Sequence, residues 1–147
     1  SPVAVRQVRH PKVLVGDGGA LPFVDGQFDY VTNIGSLEHY LDMAQGVREM
    51  ARMLKPEGRA CILVPNAFGL TWNVLRAWRT GDLFDEDGQP IQRFGTRAAW
   101  CRLLTHNGFK IYKTLGYERS WPLTKREWQR YMRRCFVFLC SPSDTFC

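Results

Sequence analysis

The sequence predicts an α/β fold with a mostly parallel sheet, and three observations predict it. Short runs of β-branched and aromatic residues alternate along the chain with stretches whose apolar residues recur every three or four positions. One run, Ala60-Cys61-Ile62-Leu63-Val64, is apolar on both faces, as suits a strand in the middle of a covered sheet. The 147 residues are 45% hydrophobic and 13% aromatic, which is enough for one domain with a buried core and too much for a disordered tail.

The first short strand is expected at Lys12-Val13-Leu14-Val15, ended by Gly16-Asp17-Gly18-Gly19. A second, 28–33, comes after the turn Val24-Asp25-Gly26-Gln27 and stops at Ile34-Gly35-Ser36. From Leu41 to Leu54 the residues Leu41, Ala44, Val47, Ala51 and Leu54 give a helix one buried stripe. Lys55-Pro56-Glu57-Gly58 ends it, with Gly58 free to turn at positive φ. The central strand 60–64 then closes on Pro65-Asn66. Residues 68–79 read as helical, and the acidic loop 82–90 as a hinge or lid. Thr96 caps a helix aligning Trp100, Leu103 and Leu104, which Asn107-Gly108 ends. Residues 109–115 and 135–140 are the last strands. The capping box Thr124-Lys125-Arg126-Glu127 opens a helix between them, with Trp128, Tyr131 and Met132 on one face.

Composition excludes some classes of function. No apolar run approaches the roughly 18 residues of a membrane span, so a helical transmembrane protein is ruled out. Five cysteines without a C-x-x-C pair offer no spacing for a zinc site or a disulfide framework, which favours a reducing, cytoplasmic setting and no bound metal. The start, Ser1-Pro2-Val3-Ala4, reads as cut from something longer. Between Lys110 and Arg134 eight basic residues face two acidic ones, a surplus equal to the whole net charge of +6. Such a face is usually only solvated.

Ligands of open α/β sheets sit at the carboxyl ends of the strands, and here those ends carry Asp17 with Gly18, Asn33 with Ile34, and Asn66. The stretch Gly16-Asp17-Gly18-Gly19-Ala20-Leu21-Pro22-Phe23 is followed by Phe28-Asp29-Tyr30-Val31 and Leu37-Glu38-His39. Arg52-Met53-Leu54-Lys55-Pro56-Glu57-Gly58 and Val64-Pro65-Asn66 complete the series. In this order and spacing the five motifs resemble a class I S-adenosylmethionine-dependent methyltransferase, nearest the ubiquinone/menaquinone-biosynthesis-like group. The resemblance covers about Lys12 to Asn66 and, more loosely, Thr96 to Leu115.

It implies a Rossmann-like sheet, mostly parallel with an antiparallel final strand, and S-adenosylmethionine as cofactor. The Asp matching Asp17 accepts from the adenine amino group, and the amide matching Gly18 faces the ring nitrogen. Ile34, with Asn33 beside it, lines the donor's methionine portion. His39 borders the place where donor and acceptor meet and is the candidate general base, since imidazole moves its proton near neutral pH. Trp72 and Trp78 flank a segment that in this fold class covers the acceptor, and Arg93 is a candidate grip on an anionic acceptor. The bland alternatives are a turn-forming Asp17, a packing His39 and core-filling tryptophans. His10 and His106 have no partner motif and read as structural.

Departures accompany the matches. The family's glycine-rich loop and the acid after its second strand are missing, so the chain is expected to be a carboxyl-terminal portion of an enzyme. It divides into a cofactor-side half (12–66), an acceptor-side lid (67–95) and helix-strand units (96–147), all within one partial domain, 1–147. Glu57 stands where a second glycine is usual. The reading is therefore methyl transfer to a small-molecule acceptor by in-line displacement. The alternative is a non-catalytic module that presents the basic helix 125–134 to nucleic acid or an anionic membrane. A nicotinamide-dependent dehydrogenase half ranks last, because its phosphate loop is also missing.

Overall fold

The computed structural model describes residues 12–67, 78–79, 91–116 and 135–143, with the side chains of 135 and 136 left aside. Residues 68–77 of the helix predicted over 68–79, Trp72 among them, the loop 82–90, the capping box 124–127 and the basic helix 125–134 lie outside the described residues. Four strands form one sheet: β1 (Phe28–Ile34), β2 (Leu54–Pro65), β3 (Phe109–Gly116) and β4 (Cys135–Pro142), in the order β1-β2-β4-β3. Strands β1 and β2 are parallel, and β4 is antiparallel to both β2 and β3. Three strands thus run one way, and the last in sequence opposes them from between its neighbours.

Helix α1 (Met43–Met53) begins where the Asp42 carboxylate accepts from the Gln45 amide at 2.9 Å. Its inward face is Val47, Met50 and Met53; Leu41 precedes the cap and is 86% exposed, so the expected stripe starts one turn later. Helix α2 (Arg97–Thr105) starts under the predicted Thr96 cap, whose Oγ1 accepts from the Ala99 amide at 3.1 Å. It ends before Gly108, which turns the chain at φ 102° into β3. Both helices join one core with Ala60, Ile62 and Val64 of β2 and Phe138 and Cys140 of β4. Each large apolar side chain buried there stabilises the fold by about 1.5–3 kcal/mol. Cys61 and Leu63, on the opposite face of β2, are half-buried, and β2 lies between β1 and β4 in the middle of the sheet as its sequence implied.

Two expectations need correction. Lys12 to Val15 forms no strand: Leu14 and Val15 are exposed, and no described strand lies beside it to supply a ladder. Gly58 is not among the glycines with positive φ, which are Gly26, Gly35 and Gly108. Instead β2 starts directly after α1, with a register shift opposite Phe28 to Tyr30. A Cβ at Gly58 would lie 2.8 Å from the Leu54 side chain and the Lys55 carbonyl, so the glycine answers a close contact there.

Candidate functional site

The first wall of the site is the turn after Val15. The Asp17 Oδ1 accepts from the Gly19 amide at 2.9 Å, and the Ala20 amide donates to the Asp17 carbonyl at 3.0 Å. This is the local side-chain turn that aspartate favours, and it uses the Gly19 and Ala20 amides rather than that of Gly18. Asp17 is exposed. Its carboxylate thus serves the turn with one oxygen and does not line an enclosed cleft of described residues.

Helix α1 fastens this turn through its side chains. Gln45 Nε2 donates to the Gly19 carbonyl at 3.3 Å, and the Leu21 amide donates to Glu49 Oε2 at 3.0 Å. Arg52 donates to the carbonyls of Leu21 (3.2 Å) and Phe23 (2.8 Å) and pairs with Glu49 (2.8 Å) and Asp25 (2.6 Å). The Arg52 hydrogen bond holds the Glu49 carboxyl below the usual range, and Glu49 and Asp25 in turn raise Arg52. Phe23 completes the wall by packing edge-on against Phe28, with centroids 5.0 Å apart.

The second wall is the carboxyl end of β1. Asn33 is buried, and its Oδ1 accepts from the Leu37 amide at 3.0 Å and from Ser36 Oγ at 3.1 Å. Those bonds brace the turn at Gly35, where φ is 59°. Asn33 therefore builds the wall, and Ile34, 60% exposed, presents its side chain beside it. A three-residue 3-10 helix, Leu37–His39, comes next and buries Leu37 and Glu38.

His39 and Glu38 give this end its chemistry. The His39 Nδ1 lies 2.6 Å from the Ile91 carbonyl, which can only accept, so Nδ1 carries the proton and Nε2 is the basic nitrogen. That Nε2 is 3.8 Å from Glu38 Oε1. Burial pushes the Glu38 carboxyl up, against the lowering influence of a backbone hydrogen bond and of His39. Its Oε2 is buried with no hydrogen-bond partner among the described residues, as is Gln92 Oε1.

A strap over 91–95 crosses both strand ends. Asn66 bridges Gly95 in parallel, the Ala67 amide donates to the Gly95 carbonyl at 3.0 Å, and Trp100 Nε1 donates to the Pro65 carbonyl at 2.8 Å. The Arg93 guanidinium donates to the carbonyls of Tyr40 and Leu41. Arg93 is thus engaged in the strap's own attachment. Trp78 is 83% exposed.

The structure therefore brings Asp17, Gly18, Asn33, Ile34, His39 and Arg93 to one pole and leaves Trp78 in solvent. A cavity of about 610 Å³ opens elsewhere, beside Arg48, Arg52, Leu54, Asn107 and Pro142 at the amino end of β2, and contains none of the expected site residues. Sequence reasoning missed Tyr40, Glu49 and Arg52 as wall-builders. The i, i+3 spacing of Glu49 and Arg52 on one helix face was the available signal.

Residues 2–62 match the family described as methyltransferase domain. Demethylmenaquinone methyltransferase of Corynebacterium efficiens is 43% identical over 60 residues, 41% of this chain and 26% of that protein. A Mycolicibacterium smegmatis protein described as a probable S-adenosylmethionine-dependent methyltransferase is 32% identical over 120 residues, 78% of this chain and 42% of that one. The chain thus spans less than half the length of these relatives. In fold it is similar to a crystallised S-adenosylmethionine-dependent methyltransferase of Methanosarcina mazei, with TM-score 0.67 and 17% identity over 97% of this chain and 78% of that one.

Proposed function

We propose that this chain, which is related in sequence and fold to the class I S-adenosylmethionine-dependent methyltransferases, supplies the adenine side and the acceptor side of a methyl-transfer site for a small molecule. The observation that carries the reading is the convergence of the Asp17–Ala20 turn and the Asn33–His39 segment at one pole, each braced by its own hydrogen bonds. An aspartate with one oxygen outside the turn, next to a glycine amide the turn does not use, suits the amino and ring-nitrogen edge of adenine. Asn33 holds the strand end in shape, and Ile34 offers apolar surface to the methionine portion.

The donor, when bound, supplies a methyl group on a positively charged sulfur. The chain's own contribution is alignment, exclusion of water and proton acceptance. His39 Nε2, freed by the Nδ1 bond to Ile91, accepts the proton of an acceptor hydroxyl as that oxygen or its conjugated ring attacks. Because the Corynebacterium efficiens relative is named for demethylmenaquinone, the reduced dihydroxy (quinol) form of that compound, which carries the hydroxyl His39 would deprotonate, is the first acceptor to test. Arg93 fixes the strap beneath which the acceptor would lie, and Trp72 and Trp78 belong to the segment proposed to cover it.

Calorimetry with S-adenosylmethionine and S-adenosylhomocysteine, on this chain and on the protein at its full encoded length, tests the reading. Saturable 1:1 binding that Asp17→Ala weakens is expected. No binding to either form of the protein would overturn it. With donor binding in hand, His39→Asn is expected to lower kcat by about a hundredfold or more at unchanged donor affinity.

A further inference from the structure

We infer that Tyr40 is a positioning residue that ties the donor wall to the acceptor strap, an inference that rests on the methyl-transfer reading. Its ring fills a slot made by two glycines. A Cβ at Gly18 would stand 2.3 Å from the Tyr40 ring, and a Cβ at Gly46 of α1 would stand 2.4 Å from it. No side-chain carbon tolerates such distances, so the slot exists only because both positions lack one. The ring therefore sets how near the Gly18 turn lies to α1.

The same residue reaches the other walls. Asn33 Nδ2 points to the Tyr40 hydroxyl at 3.4 Å, a long contact that adds little, while the Tyr40 amide donates to the Leu37 carbonyl at 3.1 Å. The Tyr40 carbonyl accepts from Arg93, whose second nitrogen reaches the Leu41 carbonyl at 3.3 Å. One residue thus touches the adenine turn with its ring and holds the strap with its backbone. Displacing the ring shifts Gly18, and the rearranged backbone shifts the Arg93 anchor.

The inference separates the ring from the hydroxyl. Tyr40→Phe keeps the wedge and is expected to bind S-adenosylhomocysteine within about twofold of the parent, whereas Tyr40→Ala is expected to weaken it about tenfold or more. Hydrogen exchange of the ligand-free protein supplies a readout that needs no donor. Tyr40→Ala should speed exchange at both 17–20 and 91–95, and Arg93→Gln should speed exchange at 17–20 only while Tyr40 is present.

A double-mutant cycle guards against a simple folding defect. Gly18→Ala should be far more damaging beside Tyr40 than beside Tyr40→Ala, by about tenfold in affinity or in exchange protection. Additive effects, or wild-type exchange at 17–20 in Tyr40→Ala, would overturn the inference. Should the parent bind no donor, the methyl-transfer reading falls, while the exchange cycle still decides whether Tyr40 links the two walls.

Discussion

The turn Gly16–Phe23 and the strap 91–95 are both irregular segments held at one pole of the sheet, but they are held in different ways. The turn is gripped by its backbone, with the gripping side chains supplied by α1: Gln45, Glu49 and Arg52. The strap supplies its own Arg93 and leans on Trp100 beneath Gly95, whose Cβ would come 2.6 Å from the indole. Their carboxylates differ in the same sense. Glu49 is saturated with partners, whereas Glu38, beside the strap at His39, keeps one buried oxygen without any among the described residues. Glu49 is thus spent on holding the turn's backbone in place, while the strap side keeps a buried acceptor that lacks a described partner.

The largest blow to this contrast comes from the strap side. Trp100 is 3% exposed and its indole donates to the Pro65 carbonyl at 2.8 Å, so Trp100→Ala both opens a cavity and orphans that carbonyl. Destabilisation of about 3–5 kcal/mol is expected in urea denaturation. Loosening of 91–95 before 17–20 in hydrogen exchange would show that the two walls are separately supported.

Arg52→Ala is the matching test of the turn. It removes donors from the Leu21 and Phe23 carbonyls and leaves Glu49, which is 12% exposed in its side chain, without its cation. A loss of about 2 kcal/mol is expected, with faster exchange at 17–24 and little change at 91–95. Equal loosening of both segments would erase the distinction.

These two sites also show how much the sequence made legible. Periodicity announced α1 and all four strands, and the Thr96 cap and Gly108 stop bounded α2, because such residues act within a turn of where they stand; the Asp42 cap of α1 was not read from the sequence. The placement of Asn33, Ile34 and Asn66 was legible for the same reason, since a strand fixes the position of its last residues and of those directly after it, whereas Asp17 follows no described strand. Long-range partnerships were not. Arg52 meets Leu21 and Phe23 across about thirty residues, and Arg93 reaches Tyr40 across more than fifty, so no local pattern could announce either contact. The expected strand at Lys12 to Val15 failed similarly, because a strand needs a neighbour that its own residues cannot name.

Smaller effects separate the two carboxylates by pH. Glu49 is held below its ordinary value of 4.5, so its stabilisation is present above that pH and is lost as pH falls through the depressed value. Glu38 is pushed above 4.5 by burial, so the folded state holds its proton more tightly and stability declines as pH rises from 4.5 through the raised value. Denaturation at pH 4 and pH 7 should therefore give opposite trends. Glu49→Gln loses stability relative to the parent on going to pH 7, and Glu38→Gln gains it. Parallel trends would mean that the orphaned oxygen of Glu38 finds a partner in solution.

The smallest expected effect belongs to Lys55, whose ammonium pairs with Asp29 at 2.8 Å, close to the Arg52–Glu49 distance. Distance is not what distinguishes them. The Lys55 and Asp29 side chains are 47% and 66% exposed, so water screens the pair and holding the lysine stem still costs about as much as the attraction returns. The Arg52–Glu49 pair is less exposed, and its guanidinium also satisfies the Leu21 and Phe23 carbonyls of the turn. Lys55→Gln should therefore change stability by less than about 0.5 kcal/mol and leave exchange at 17–20 untouched. A loss near that of Arg52→Ala would show that the turn is held by charge spread over the end of α1 and the start of β2 rather than by the one arginine that reads its backbone.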